Sequence, residues 1–423
     1  MTLFEELPKP QKRTIDLVRE VALEKECRPY LVGGPVRDML LGRHAIDIDL
    51  TLENDASTLA QALAKRIEGR VRSYPQFLTY KIVADGYPEI DLTTARKERY
   101  RTPGALPAVT AGRLKDDLLR RDFSINAIAL DLIDGTLHDP VGGEPDITAR
   151  LVRVLHDLSF VDDPTRIFRA IRLAVRLGFQ LEEKTEALLT DAIATNALAT
   201  VSRERIWREL FFAMDEEPAP EILADLTARG ALAVLFGRRS TDGLLERLQA
   251  LQERVREDGE LDAHAIYTGA LLRGDASPVD FEGSGFSQKR ARTIVEIANE
   301  IPRILETLAA SADDRSRFRE CRTLSAETLA AIEAEAPEQR PHIARFRDFE
   351  RFQVPLRGNE LDVPPGPHVA EALERTREAL FHGEIRTDEA KAFANREARR
   401  LLDAAPTRST TSDEPPRDDR TVA

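Results

Sequence analysis

Hydrophobic and polar positions along this chain follow two different periods, and the change falls near residue 150. Residues 1–28 carry the spacing of an amphipathic helix. Residues 29–155 mix two patterns. PYLVGG, AIDIDL and PEIDLTT are short β-like runs that end at turns or polar residues. GPVRDMLLG, STLAQALAKRI and RRDFSINAIALDL carry helical spacing. Their alternation predicts an α/β or α+β domain. From about Leu151 onward the signal is almost purely helical. PTRIFRAIRLAVRLGF, KTEALLTDAIATNALAT, RERIWRELFFAM, EALERTREALFHG and EAKAFANREARRLL each place apolar residues on one face. No internal repeat of fixed period is present. Pro406–Ala423 is rich in Pro, Ser, Thr and Asp with almost no apolar residues, which predicts a disordered tail.

Composition narrows this picture. The 423 residues are 42% hydrophobic, enough to bury a sizeable core, and 32% charged with mixed signs. No apolar run approaches the roughly 20 residues that span a bilayer, and the first residues lack a signal-like apolar stretch. The two cysteines, Cys27 and Cys321, stand far apart without metal-ligand spacing. Free thiols in a reducing, cytoplasmic setting are expected. The net charge is −13, yet residues 1–180 carry 27 basic and 27 acidic side chains, so the whole excess lies beyond them. This distribution argues against a non-specific polyanion binder but leaves room for arginines clustered on one face.

The chemistry begins at YLVGGPVRDMLLGRHAIDIDL, Tyr30 to Leu50. A buried strand runs into Gly33-Gly34, and Pro35 suits the first position of a helix, where its missing N–H costs nothing. Such a turn lets backbone N–H groups approach a phosphate, with Arg37 one turn in as a direct charge. A glycine pair alone is also an ordinary strand–turn–helix corner. Asp47-Ile48-Asp49 then alternates within Ile46–Leu50. A strand period of two puts Asp47 and Asp49 on one face and the apolar residues on the other. Carboxylates so close repel one another and persist best around a divalent cation, which can neutralise a triphosphate and activate a hydroxyl. A bare Asp-x-Asp is equally a solvated strand face; the glycine turn returning into it within about 15 residues is far more specific. Asp91 lies in another strand-like run. It either joins the pair as a third carboxylate or makes a local hydrogen bond.

Arginines follow. Arg120, Arg121 and Asp122 precede an apolar-periodic run; Asp122 is either a helix N-cap or, with Arg121 and Asn126, part of a ribose and phosphate site. In SFVDDPTRIFRAIRLAVRLGF, Asp163-Pro164 predicts a helix start, with Ile167, Ile171, Ala174 and Val175 inward. Arg166, Arg169, Arg172 and Arg176 line another face, which suits a solvated helix or a nucleotide wall. Arginine only donates and an ionised aspartate only accepts, so Asp163 and Arg166 together match the amino donor and ring acceptor of cytosine or adenine. In SRERIWREL, Ser202 is a possible cap. Arg203, Arg205 and Arg208 would reach RNA phosphates, unless they serve surface ion pairs.

In this order, the segments resemble the bacterial class II tRNA nucleotidyltransferase and poly(A) polymerase family, within the polymerase-β nucleotidyltransferase superfamily. The match covers about residues 28–215. LVGGPVRDMLLG with DIDL resembles its nucleotidyltransferase motif, RRDFSINAIA its ribose-contacting motif, and DGTLHDPVGGEPDITARLVR the hinge that follows. DDPTRIFRAIRLAVRLGF is similar to its base-selecting helix and RERIWREL to the motif after it. The base-selecting motif often begins Glu-Asp, where this chain has Asp162-Asp163. Arg96–Arg113 lies where family members carry a mobile loop that governs the switch from CTP to ATP.

The resemblance implies an α+β fold: a head with a small mixed sheet (residues 1–150), a helical neck (151–215) and a helical body and tail (216–405). It implies template-independent addition of nucleotides, CCA or part of it, from CTP and ATP to the 3′ end of tRNA. Asp47 and Asp49 would hold Mg²⁺, with Asp91 as a further catalytic carboxylate. Gly33, Gly34 and Arg37 would hold the triphosphate, Arg121, Asp122 and Asn126 the ribose, and Asp163, Arg166 and Arg169 the base side. Arg172, Arg203 and Arg205 would contact RNA. A poly(A) polymerase ranks second, because the acidic tail does not suit an enzyme that grips many RNAs. A catalytically silent RNA-binding module sits badly with the intact Asp47/Asp49 pair. A dinucleotide oxidoreductase sits badly with a turn that lacks GxGxxG.

Overall fold

The computed structural model describes residues 7–43, 47–237, 239–277, 281–311 and 313–404. The expected tail from Pro406 and residue Ile46 lie outside them. Helix α1 (Lys9–Glu24) is amphipathic as expected, burying Ile15, Val18, Val21 and Ala22, and it ends before residue 28. Strand β1 (Pro29–Val32) is buried throughout and leads into α2 (Gly34–Leu40). There follow β2 (Ile48–Leu52), α3 (Ala56–Arg66), β3 (Arg70–Tyr74), β4 (Thr79–Val83), β5 (Ile90–Thr94), β6 (Arg96–Arg99), β7 (Ala108–Ala111), α4 (Leu114–Leu119), β8 (Ala129–Asp131), β9 (Leu137–His138) and α5 (Gly143–Ala149). In α3, Asp55 caps the first turn by accepting from the Ser57 N–H, and Lys65 and Arg66 sit at the negative end of the helix dipole.

Seven of these strands form one mixed sheet in the order β3-β4-β5-β2-β1-β8-β9. Within it β2 and β5 run parallel, with Asp49 opposite Asp91, and β4 pairs antiparallel to β5 with Lys81 opposite Asp91. One row across three neighbouring strands therefore reads Lys81, Asp91, Asp49. On the apolar side of the row, Ile48, Leu50, Ile90 and Leu92 are buried, as period two requires.

One expectation fails in this region. The run RRDFSINAIALDL is not a helix. It is a turn, one 3-10 turn over Ser124–Asn126, and strand β8, which pairs with β1 through Leu31–Leu130. Its apolar residues recur at helical spacing because both faces of this short central strand are buried. The segment Arg96–Arg113 contains β6 and β7, which pair as an antiparallel hairpin.

Among the described residues from 151 onward, the regular elements are helices apart from a two-stranded parallel sheet of β10 (Leu151–Val152) and β11 (Gln180–Leu181). The helices are α6 (Ser159–Asp162), α7 (Arg166–Leu177), α8 (Glu183–Ala194), α9 (Arg203–Met214), α10 (Ala219–Ala228), α11 (Ala233–Phe236), α12 (Leu244–Glu257), α13 (Ala263–Leu271), α14 (Gln288–Asn299), α15 (Ile301–Ala310), α16 (Asp314–Cys321), α17 (Ala326–Glu335), α18 (Arg340–Arg351), α19 (Pro367–Phe381) and α20 (Ala390–Asp403). In α7 the inward stripe is Ile167, Phe168, Ile171, Ala174 and Leu177, with Val175 only half-buried. The helix is also assigned from Arg166 rather than from Pro164. The first turn uses i to i+3 bonds, from Arg166 N–H to the Asp163 carbonyl and from Ile167 N–H to that of Pro164. Asp163 still caps that turn, accepting from the Thr165 N–H and hydroxyl. Ser202 holds the position before α9 but makes no side-chain cap bond.

The chain packs as two units, Met1–Ile301 with Ala326–Glu335, and Pro302–Ser325 with Ala336–Ala423. In the second, Phe318, Phe346, Phe349 and Phe381 form an aromatic core. Among the described residues no helix is long and apolar enough to cross a membrane, and both cysteines are free.

Candidate functional site

The sheet row and helix α7 enclose two adjoining cavities of the first unit. One, of about 280 Å³, is lined by Gly34, Arg37, Asp47, Asp49, Arg172 and Arg176, among others. The other, of about 310 Å³, is lined by Glu98, Tyr100, Arg120, Arg121, Asp163 and Arg166, among others. Gly34, Asp49, Asp122, Asn126 and Arg169 face both. Every residue expected to hold the nucleotide lines one or both, except Gly33 and Asp91. Asp91 lines a third hollow, which it shares with Asp49, Asp117 and Arg121.

Gly33 makes the turn possible. Its φ is +76°, and a Cβ there would fall 2.5 Å from Arg121 Nη1. Its carbonyl accepts from the Arg37 N–H, closing the first turn of α2. The Arg37 side chain is buried. Its Nη1 donates to Asn126 Oδ1 at 2.6 Å and its Nε to Asp38 Oδ1 at 2.9 Å. Asn126 Nδ2 in turn donates to Asp122 Oδ1 at 3.0 Å.

The carboxylates on the sheet are poorly satisfied. Burial, then the charge of Asp91, pushes the Asp49 carboxyl up to about 6; Asp47 adds to this, and Arg121 and Lys81 only partly offset it. Burial also raises Asp91, although Lys81 stands opposite it. Lys81 Nζ lies 3.5 Å from Asp91 Oδ1 and 2.5 Å from Glu89. Asp91 Oδ1 is buried and accepts no hydrogen bond. Asp47 sits just before β2 and lines the first cavity with Asp49. Among the described residues no three His, Cys, Asp or Glu side chains stand close enough together to form a metal centre on their own. A buried oxygen whose nearest donor, Lys81 Nζ, stands 3.5 Å away, beside carboxylates that repel one another, is nonetheless a fit for a divalent cation completed by water and substrate oxygens.

On the helical wall the charges are satisfied. Burial alone would raise Asp122, but the charge of Arg169, the Asn126 hydrogen bond and the charge of Arg166 hold it well below the usual carboxylate range. Arg169 Nε donates to Asp122 Oδ2 at 2.9 Å. Arg166 is buried, donating from Nη1 to Ser159 Oγ at 2.6 Å and from Nη2 to the Arg120 carbonyl at 3.0 Å. Asp163 Oδ1 accepts from Arg205 Nη2 at 2.9 Å.

The three arginines expected at RNA differ in their surroundings. Arg205 is turned inward, with Nη1 donating to the Gly104 carbonyl at 2.7 Å. Arg172 stands near Glu209 and over the exposed ring of Phe212. Arg203 is half-buried, with its Nε donating to the Glu282 carbonyl. Residues the sequence reading left unassigned also belong to the site: Lys81 stands in the carboxylate row, and Glu98, Tyr100 and Glu216 line the cavity walls. Glu98 and Tyr100 stand in the segment where family members carry a mobile loop, and Lys81 is one lysine in a five-residue strand, so neither carried a pattern.

Residues 29–153 match the poly A polymerase head domain. Over 94% of its length the chain is 32% identical to an A-adding tRNA nucleotidyltransferase of Geobacter sulfurreducens, and it spans about half (48%) of that relative. It is 31% identical to a CCA-adding enzyme of a Geobacillus species, over 84% of this chain and 89% of that one. Among solved structures, the Thermotoga maritima CCA-adding enzyme complexed with tRNA superposes with a TM-score of 0.77 at 25% identity, covering 94% of this chain and 97% of that one.

Proposed function

Because this chain belongs to the tRNA nucleotidyltransferase and poly(A) polymerase family, we propose that it adds nucleotides, CCA or part of it, from CTP and ATP to the 3′ end of tRNA without a nucleic-acid template. The observation that carries this reading is the meeting, around two adjoining cavities, of an under-satisfied carboxylate row on the sheet with an arginine-rich helical wall that carries Asp163 and Arg166.

Asp47 and Asp49 would hold Mg²⁺, with Asp91 beside them. The ion supplies charge neutralisation at the phosphates and activation of the attacking 3′-hydroxyl. The chain's own residues do the rest. Gly34 and Arg37, beside the Gly33 turn, hold the triphosphate. Arg121, Asp122 and Asn126 position the ribose. Asp163 and Arg166 read the base edge, and Arg169 keeps Asp122 ionised. The reaction is in-line attack of the RNA 3′-oxygen on the α-phosphorus, with pyrophosphate leaving. Arg172 and Arg203 and the helices beyond residue 151 offer the RNA its contacts, while Arg205 acts on Asp163. Two free thiols suit an enzyme of the cytoplasm.

The test is a gel at single-nucleotide resolution. Purified protein meets tRNA transcripts ending before CCA, after C and after CC, with Mg²⁺ and each NTP singly and together. Addition that stops after CCA, or a partial activity limited to CC or to the final A, supports the reading. Long A-tails on any acceptor favour a poly(A) polymerase, and no incorporation by folded protein overturns the enzymatic assignment.

A further inference from the structure

Hydrogen-bonding groups alone cannot hold a nucleobase. Its edge is polar, but its two faces are apolar π surfaces that need a flat partner. The cavity at Asp163 and Arg166 is walled by charged side chains, one asparagine and one glycine, and Tyr100 is the single aromatic among the described residues that line it. We propose that Tyr100 is the stacking platform for the base of the incoming nucleoside triphosphate, acting beside the edge-reading pair Asp163 and Arg166. This inference rests on the nucleotide reading of the same cavity.

The ring is held in place from two sides. Its hydroxyl donates to Glu98 Oε2 at 3.3 Å. Glu98 Oε1 is in turn pinned by Arg96 at 3.0 Å and Arg120 at 2.9 Å. The Arg120 carbonyl accepts from Arg166, so platform and edge reader belong to one continuous network. On the other side the chain just after Tyr100 is docked on the helical wall. The Gly104 N–H donates to the Asp162 carbonyl at 3.2 Å, and Arg205 bridges the Gly104 carbonyl to Asp163. Gly104 has φ +72°, and a Cβ there would fall 2.3 Å from Thr200 Oγ1, so only glycine permits this approach. Both ends of the segment that carries the ring are thus tied to residues that would read the base edge. A platform so fixed loses little freedom when a base settles on it.

The experiment compares wild type, Tyr100→Ala and Tyr100→Phe in steady-state incorporation of CTP and ATP. Binding of ATP and of inorganic tripolyphosphate, which has no base, is measured alongside by calorimetry. Base–aromatic stacking is worth roughly 1–3 kcal/mol, so Tyr100→Ala should raise KM for both nucleotides about 5- to 150-fold. kcat should change little, and ATP binding should weaken in parallel. Tyr100→Phe keeps the ring and should stay within about threefold of wild type by the same reasoning. Tripolyphosphate binding should be equal in all three proteins. Unchanged KM and ATP binding in folded Tyr100→Ala overturn the platform while leaving the nucleotide site standing. A matching loss of tripolyphosphate binding also overturns it, since the ring would then merely support the cavity wall. A wild-type protein that neither incorporates nor binds ATP overturns the underlying reading and this inference together.

Discussion

Asp49 and Asp122 line the same two cavities and are the same residue type, yet their surroundings drive them apart. Asp49 stands on the sheet, and its nearest strong influences are burial and another carboxylate, Asp91; its carboxyl is pushed up to about 6. Asp122 stands under helix α7 and is as deeply enclosed, but Arg169, Asn126 and Arg166 hold it ionised, well below the usual range. The fold therefore carries its own counter-charge for one aspartate and withholds it from the other. Arg121 comes nearest to filling that gap, with Lys81 behind it, but Arg121 is paired with Asp117 and Lys81 with Glu89 and Asp91. A deficit of positive charge maintained inside a cavity is a binding device for a cation, whereas a satisfied pair is part of the scaffold.

Removing the deficit should have the largest effect. Asp49→Asn is expected to lower incorporation by about 10³-fold or more, the scale on which a single charged group acts in phosphoryl transfer. It should not destabilise the fold. With one repelling carboxylate gone, the melting temperature in metal-free buffer is expected to stay level or rise slightly, 1 kcal/mol corresponding to about 1–2 °C at this size. Calorimetry and the extension gel read both quantities. Retained turnover in a folded Asp49→Asn protein would take this residue out of the reaction. A fall in melting temperature would mean that the carboxylate serves the scaffold, and the contrast with Asp122 would collapse.

The next effect concerns choice rather than rate. Asp163→Ala removes an acceptor that Arg205 and Thr165 now hold in place. Preference for CTP and ATP over GTP and UTP should drop about 10- to 100-fold, the worth of one good polar contact to a base edge, while chemistry with the correct nucleotides persists. Competition assays with all four triphosphates measure this directly, and unchanged discrimination sinks the base-reading role of Asp163.

The two aspartates were not equally legible before the fold was known. Asp47 and Asp49 stood out because a strand period, a glycine turn and a short return distance converge on one face, and all three are local in the chain. The pairing of Asp49 with Asp91 depends on which strands are neighbours, and only the parallel register of β2 and β5 decides it. Asp122 read equally well as a helix cap, since its partner Arg169 lies 47 residues away. RRDFSINAIALDL misled because a doubly buried strand loses the alternation that marks strands. Tyr100 carried no pattern at all: its meaning comes from a cavity whose other walls are far away in sequence. The helical character beyond residue 151 was plain from periodicity, but the interleaving of α17 with the first unit was not, because apolar faces do not name their partners.

The smallest expected effect tests the satisfied side of the comparison. Arg169→Ala leaves the Asp122 carboxylate enclosed with only neutral donors close to it and Arg166 further off. The Arg169 side chain is 39% exposed, so solvent screens part of its charge. The loss is accordingly set at about 1–2 kcal/mol rather than the 3–5 kcal/mol of a fully buried pair. The pH dependence fixes the cause. Asp122 has a folded-state value below its unfolded one, so the pair contributes fully above about pH 4, the ordinary range of an unfolded aspartate, and its contribution is lost as pH falls through the folded value. In Arg169→Ala, burial without the arginine raises the same carboxyl, so the variant gains stability on acidification while wild type does not. The gap between the two melting curves should therefore be widest near pH 7 and narrow as pH falls toward 4, and Asp122→Asn in the Arg169→Ala background should close most of it at pH 7. A gap that does not change with pH would mean that Arg169 works through its aliphatic stem packed on the helical wall rather than through its charge.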